Sequence, residues 1–159
     1  MATEIKKLNL GAGNDIIPHS INHDLTEFRD EIDITHDLNV LPWPWPDERF
    51  KEVIAKSVLE HLHHDLVVSL NEIWRILKPG GLVTLKLPHW RADVSWWDPT
   101  HRWKFSLMSF EQFDPNTERG RIYAHYSPYK WKMIKRPHLN KAASSIHLVL
   151  QKVAGDEVD

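Results

Sequence analysis

The sequence predicts an α/β domain whose sheet is mostly parallel, with an antiparallel edge at its C-terminal end. Three observations predict it. Short apolar runs early in the chain each end at a glycine or a carboxylate, residues 50–87 read as strand, helix, strand, and two alternating runs close the chain with no helical pattern between them. A strand-helix-strand unit joins parallel strands, because a crossover of a dozen or more residues is needed to bring the chain back to the same end of the sheet.

Ile5 to Leu10 reads as the first strand and stops at Gly11-Ala-Gly13, a turn signal. Ile21-Asn-His-Asp24-Leu and Ile32-Asp-Ile34-Thr follow as two short alternating runs. Only about seven residues separate Gly13 from the second run, and Thr26 to Glu31 is equally short, so any helix in these connections should be rudimentary. Leu41-Pro-Trp-Pro-Trp-Pro-Asp47 can be neither helix nor central strand, since each proline removes a backbone donor and restrains the residue before it. Phe50 to Ala55 resumes as a strand. Asp65 then caps a helix that carries Leu66, Leu70, Ile73, Trp74 and Leu77 on one face and ends at Lys78-Pro-Gly-Gly81. Leu82 to Leu87 is the next strand. Residues 88–128 look irregular apart from a short helix around Ser109 to Phe113, Tyr129 to Ile134 and Ile146 to Val153 read as late strands, and 154–159 as a disordered tail. All of residues 1–159 are expected to form a single domain.

A chain of 159 residues can bury a core without a disulfide or zinc staple, and the absence of Cys excludes disulfides and thiolate metal sites. The N-terminus lacks the apolar core of a signal peptide and no run approaches the ~18 apolar residues of a membrane span, so a cytoplasmic protein with no membrane contact is expected. Twenty Lys and Arg against 22 Asp and Glu give a net charge of −2, which argues against a general nucleic-acid binder. Of the eight Trp, Trp90, Trp96, Trp97 and Trp103 are close in sequence and Trp43 and Trp45 alternate with prolines, so the indoles are expected in two segments and not spread through a core.

Ligands of open α/β sheets sit beyond the carboxyl ends of the strands. The glycines and carboxylates fall there: Gly11 and Gly13 after the first strand, Asp24 after the second, Asp37 after the third, Ser57 to His61 after the fourth. A glycine pair lets backbone approach a bulky ligand, and a carboxylate after the second strand can accept two hydrogen bonds from ribose hydroxyls, a pattern that suits a nucleoside-containing cofactor. A dinucleotide fingerprint would need a third glycine, and Asn-Asp-Ile-Ile-Pro follows Gly13.

The segments Leu8-Asn-Leu-Gly-Ala-Gly13, Asp37-Leu-Asn-Val-Leu-Pro42, Ser57-Val-Leu-Glu-His-Leu62 and Glu72-Ile-Trp-Arg-Ile-Leu-Lys-Pro-Gly-Gly81 resemble the successive motifs of class I S-adenosylmethionine-dependent methyltransferases of the type 11 kind, in a minimal form. The resemblance covers about residues 5–115 and implies a Rossmann-like fold and S-adenosyl-L-methionine as cofactor. It implies that Gly11, Ala12 and Gly13 wrap the methionine part, Asp24 with Leu25 holds the ribose, Asp37 and Leu38 flank the adenine, and Ser57 touches the cofactor through its backbone. The chain begins at the first strand, where larger members carry helices that close the substrate site. An open pocket, or one completed by a second copy or a partner chain, is therefore expected.

Methyl transfer is an in-line displacement on an activated donor, so the protein mainly aligns the nucleophile, and a general base is optional. His61, Asp98 and His101 are the candidates for orienting the acceptor or moving its proton; His61 has the alternative role of packing the following helix. His61-Leu-His-His-Asp65 gathers metal-ligand types but lacks ligand spacing, and no metal site is expected there. Arg91, Arg102 and Lys104 among the indoles after the fifth strand would suit a planar or sugar-like acceptor, while the indoles could equally pin a long loop. Arg119 to Lys141 is basic and aromatic, as in a nucleic-acid surface or a solvated edge hairpin. The Asp/Asn-Pro-Pro-aromatic motif of nucleic-acid amino methyltransferases is replaced by Ser57-Val-Leu-Glu60. Methylation of a small-molecule or sugar-like acceptor is the function expected, with a non-catalytic cofactor- or partner-binding module and a nucleic-acid methyltransferase as alternatives.

Overall fold

The computed structural model describes residues 6–154; the predicted tail at 155–159 and Ile5 of the first predicted strand lie outside them. One seven-stranded sheet runs through the described residues in the order β3-β2-β1-β4-β5-β7-β6. Its strands are β1 (Lys7–Leu10), β2 (Ile21–Asp24), β3 (Ile34–Thr35), β4 (Phe50–Lys56), β5 (Leu77–Pro88), β6 (Trp131–Leu139) and β7 (Ser145–Lys152). The first five pair in parallel, and β7 runs antiparallel to both β5 and β6.

Helix α1 (Leu66–Ile76) is the crossover between β4 and β5. Asp65 caps it, its carboxylate accepting from Val68 N–H at 3.0 Å, an interaction worth about 1 kcal/mol. Leu70, Ile73 and Ile76 are fully buried against the sheet. Leu77, expected on the helix, instead opens β5 opposite Phe50, so the strand takes in Lys78-Pro-Gly-Gly81 and is longer than the run Leu82–Leu87 predicted. Gly81 is needed within it: a Cβ there would lie 2.8 Å from the Lys78 carbonyl oxygen. β6 likewise starts later and runs further than expected, to Leu139.

Among the described residues no helix lies between β1 and β2 or between β2 and β3. Indoles cover this part of the sheet, contrary to the expectation that Trp stays out of the core. Trp43 and Trp45 are 2 and 5% exposed there, and Trp131, on β6 at the opposite edge of the sheet, is 0% exposed. Trp45 meets His23 of β2 edge-on with ring centres 5.3 Å apart and Phe50 of β4 at 6.0 Å. The proline-rich loop is fastened to α1: Glu72 accepts from Trp43 N–H at 2.7 Å, and Arg75 donates to the Trp43 and Trp45 carbonyls. A loop carrying two large side chains thus does what a crossover helix would do, burying apolar area in few residues.

Residues 88–128 hold more order than the sequence pattern reveals, in short pieces: α2 (Val94–Trp97), a 3₁₀ segment at Leu107–Phe113 that includes the predicted turn of helix, and α3 (Glu118–Ile122). The basic segment is spread over α3, a 3₁₀ turn and edge strand β6, where Lys132, Lys135 and Arg136 are exposed. Lysines on an edge strand deter pairing with other strands. No helix among the described residues is long and apolar enough to cross a membrane.

Candidate active site

Two cavities open beyond the carboxyl ends of the parallel strands and share Ser57 and His61. The larger, about 460 Å³, lies over β1, β2 and β4. Gly11, Gly13, Asp24, Leu25, Asp37, Leu38 and Ser57, all singled out in the sequence, line it. Ala12 does not: it is 3% exposed, and its N–H donates to the His23 carbonyl at 2.8 Å, holding the loop to β2.

The loop's shape depends on its glycines. Gly11 adopts a φ of +59°, and a Cβ there would come within 2.7 Å of Val58 Cγ2. Gly13 has a φ of +52°, and a Cβ there would meet no described atom within 4 Å, so its backbone faces open space. Asp24 is the tie: one carboxylate oxygen accepts from Gly13 N–H at 2.8 Å and the other from Leu25 N–H at 2.7 Å. Each oxygen retains a lone pair for a ligand hydroxyl. Ser57, at the end of β4, has a φ of +53°, a left-handed conformation uncommon for serine, and its N–H donates to Lys86 O at 2.8 Å.

His23, His36, Asn39, Val58, Leu62 and Thr100 also line this cleft and were not anticipated. His23 had a signal, its place beside Asp24 at the end of an alternating run. Burial lowers its pKa, which keeps the imidazole neutral. Gly11 N–H lies 3.4 Å from its Nδ1 while Nε2 contacts the His36 carbonyl at 3.0 Å, so one ring nitrogen accepts and the other donates.

The second cavity, about 310 Å³, is walled by Glu60, His61, Lys86, Trp97, Asp98 and His101 among others. His61, Asp98 and His101, the sequence candidates, come together here. Thr100 Oγ1 donates to Asp98 Oδ1 at 2.7 Å and therefore accepts from His61 Nδ1 at 2.7 Å, which leaves the lone pair of His61 on Nε2. His101 packs edge-on against His61 with ring centres 4.6 Å apart, its Nε2 3.9 Å from Glu60 Oε1 and 3.8 Å from Asp98 Oδ2.

Glu60 is the residue that sequence reasoning passed over. It is 1% exposed, and burial, aided by the charge of Asp98, pushes its carboxyl up to about 7, against a backbone hydrogen bond and Lys86. Its carbonyl accepts from Arg102 N–H at 2.8 Å, tying the segment after α2 to the end of β4. Burial and the neighbouring His101 lower the His61 pKa, with Asp98 opposing. Hydrogen bonds from the Thr100 side chain and backbone hold the Asp98 carboxyl below its usual range.

The indoles after β5 divide between the two roles the sequence left open. Trp103 pins the loop, donating from Nε1 to Leu62 O at 2.8 Å, whereas Trp97, 73% exposed, forms part of the second cavity's wall.

The family model described as a methyltransferase domain matches residues 8–85, which takes in the glycine loop, β4 and α1. Over this stretch, just under half of its length, the chain is similar to that methyltransferase domain family. Its Rossmann-like sheet superposes on that of the YcgJ protein of Bacillus subtilis with a TM-score of 0.60 at 15% identity, over 94% of this chain and 92% of that one. A SAM-dependent methyltransferase of Archaeoglobus fulgidus gives 0.60 at 14% identity over 94% and 88%. The Haloferax volcanii complex between the Trm112 methyltransferase activator and a putative methyltransferase gives 0.63 at 12% identity over 93% and 82%. Among curated proteins none matches this chain significantly in sequence.

Proposed function

We propose that the chain catalyses transfer of a methyl group from S-adenosylmethionine to a small-molecule acceptor, with the cofactor in the larger cleft and the acceptor in the smaller one. The observation that carries this reading is the junction. Ser57 and His61 belong to both cavities, so a cofactor held by the glycine loop can present its sulfonium where an acceptor in the second cavity meets it. Asp24 holds the ribose hydroxyls, Asp37 and Leu38 bracket the adenine, and Gly11 and Gly13 give the methionine part its backbone contacts. His61, Asp98 and His101 orient the acceptor, and His61, which lines both cavities, offers its Nε2 lone pair as the base. Reaction consists of attack by the acceptor's lone pair on the methyl carbon as the carbon–sulfur bond breaks, so alignment of the two cavities is the main contribution of the protein.

Titration calorimetry with S-adenosylmethionine and with S-adenosylhomocysteine tests the first half: saturable binding of about one ligand per chain supports it, and absence of binding by both to the folded protein sinks it. Incubation with methyl-labelled cofactor and a panel of hydroxyl- and amine-bearing acceptors tests the second. A neighbour found with an activator supports a variant of the same reading, in which turnover needs a partner chain; turnover by the purified chain alone excludes that variant.

A further inference from the structure

Beneath the second cavity, one ligand atom each from Glu60, His61 and His101 lies within 4.8 Å of the others. On two of these residues a polar atom, Glu60 Oε2 and His101 Nδ1, is buried with no hydrogen-bond partner among the described residues. A buried polar atom left unpaired costs roughly 1–3 kcal/mol, and such atoms in a native fold call for a partner that the chain itself does not supply. The 3.9 and 3.8 Å separations of His101 Nε2 from Glu60 and Asp98 are too long for hydrogen bonds, so those contacts do not account for the cluster.

His61 is set up from behind. Its Nδ1–H is engaged by Thr100, whose hydroxyl is engaged by Asp98, so the ring is fixed and its Nε2 lone pair projects from the other side. This is how a carboxylate relay orients a metal-bound imidazole. Two imidazoles and one carboxylate suit a divalent transition ion, and three protein ligands leave a coordination position free. With bonds of about 2.1 Å, tetrahedral ligand atoms stand about 3.4 Å apart, so modest side-chain rotations close the cluster on an ion.

We propose that Glu60, His61 and His101 form a binding site for a divalent transition-metal ion, with Thr100 and Asp98 behind His61, and that its free position takes the oxygen of a hydroxyl acceptor. This rests on the methyltransferase reading above and makes it more specific: with the ion in place His61 is a ligand, and the ion itself makes the acceptor acidic. The acceptor's O–H proton passes to solvent, the oxygen bonds to the methyl carbon as the carbon–sulfur bond breaks, and the sulfonium leaves as a neutral thioether. The sequence hid the site because the cluster His61-Leu-His-His-Asp65 contributes one ligand only, the second imidazole coming from the loop after α2.

The test uses the untagged chain stripped with chelator and titrated with zinc chloride by calorimetry and with cobalt(II) chloride by visible absorption, alongside S-adenosylhomocysteine titrations of the same samples. About one ion per chain, with a cobalt spectrum of low-symmetry four- or five-coordination, is expected. His101→Ala should weaken ion binding at least a hundredfold while leaving the affinity for S-adenosylhomocysteine within threefold, and Thr100→Val should weaken ion binding ten- to a hundredfold. Because Glu60→Gln removes a buried acid and risks the fold, His101→Ala carries the comparison, with thermal melts confirming that it is folded. No ion binding, or equal binding by wild type and His101→Ala, overturns the metal site. If the cofactor product binds in those same samples, the methyltransferase reading survives; if it does not, that reading fails separately.

Discussion

The cleft over β1 and β2 and the cavity beside β5 share a wall at Ser57 and His61, yet they are built from different material. The cleft is shaped by backbone: two left-handed glycines, a left-handed serine, and a carboxylate that accepts from the N–H groups of the glycine loop and of its own neighbour Leu25. The cavity is shaped by ionisable side chains brought from the end of β4, from β5 and from the loop after α2. The first arrangement can grip one invariant ligand by its shape. The second can be changed one side chain at a time, which suits the half of a reaction that differs between enzymes sharing a cofactor.

If the division of labour holds, the largest effect should come from the shared wall on the cavity's side. His61→Ala should lower methyl turnover by about 10²–10⁴-fold, whether the ring takes the acceptor's proton itself or holds the ion that acidifies it, while S-adenosylhomocysteine affinity stays within threefold. Turnover measured with labelled cofactor and affinity by calorimetry decide it. A loss of affinity as large as the loss of turnover would mean that His61 belongs to the cleft.

The cleft itself should break at Gly11. Alanine there must adopt a positive φ and meet Val58 at 2.7 Å, whereas at Gly13 it meets nothing within 4 Å. Gly11→Ala should therefore cost about 2–4 kcal/mol in urea denaturation and Gly13→Ala about 1 kcal/mol. Equal costs would show that only the backbone angle matters.

The same contrast explains what could be read in advance. The cleft residues read in advance fall at or just past strand ends, and strands end where their apolar alternation stops, so Gly11, Gly13, Asp24, Asp37 and Ser57 announce themselves by position. The sheet was legible for the same reason, except where a tertiary contact overrode the local pattern: Leu77 is at helical spacing but pairs with Phe50 as strand. The cavity was half legible. His61, Asp98 and His101 are conspicuous by type, but nothing along the chain says that Arg102 N–H will bond Glu60 O and carry His101 onto Glu60. Trp43 and Trp45 misled because proline-flanked indoles look like a surface loop; what buries them is the bonding of their backbone to Glu72 and Arg75 on a helix about thirty residues away.

A smaller effect separates two carboxylates of the cleft. Asp24→Ala should weaken binding of S-adenosylhomocysteine by about 1–3 kcal/mol, the loss of charge-assisted hydrogen bonds to ribose hydroxyls. Asp33 cannot take over this role, because its Oδ2 accepts from Asn22 N–H at 2.8 Å away from the cleft's lining. Unchanged affinity would assign the ribose to Asp37 and leave Asp24 as a brace for the glycine loop.

The smallest effect lies outside both cavities, in the brace that lets a loop stand in for a helix. Burial would raise the Glu72 pKa, but the hydrogen bond from Arg75, the one from Trp43 N–H and the Arg75 charge together hold it below its ordinary value of 4.5. A carboxyl whose folded pKa is depressed adds stability above its unfolded pKa, and that contribution disappears as pH falls through the folded value. Glu72→Gln should thus destabilise the protein by about 1 kcal/mol at pH 7, with the gap to wild type narrowing only below pH 4.5. Urea midpoints measured from pH 7 down to pH 3 check it. No gap at any pH would mean that Glu72 holds the Pro-Trp loop only through the Trp43 N–H bond, which glutamine can also accept, and that the charge of Arg75 adds nothing. The loop would then owe its place to the burial of Trp43 and Trp45 and to that one hydrogen bond, and the sheet's β1–β2 side would be covered without any electrostatic latch.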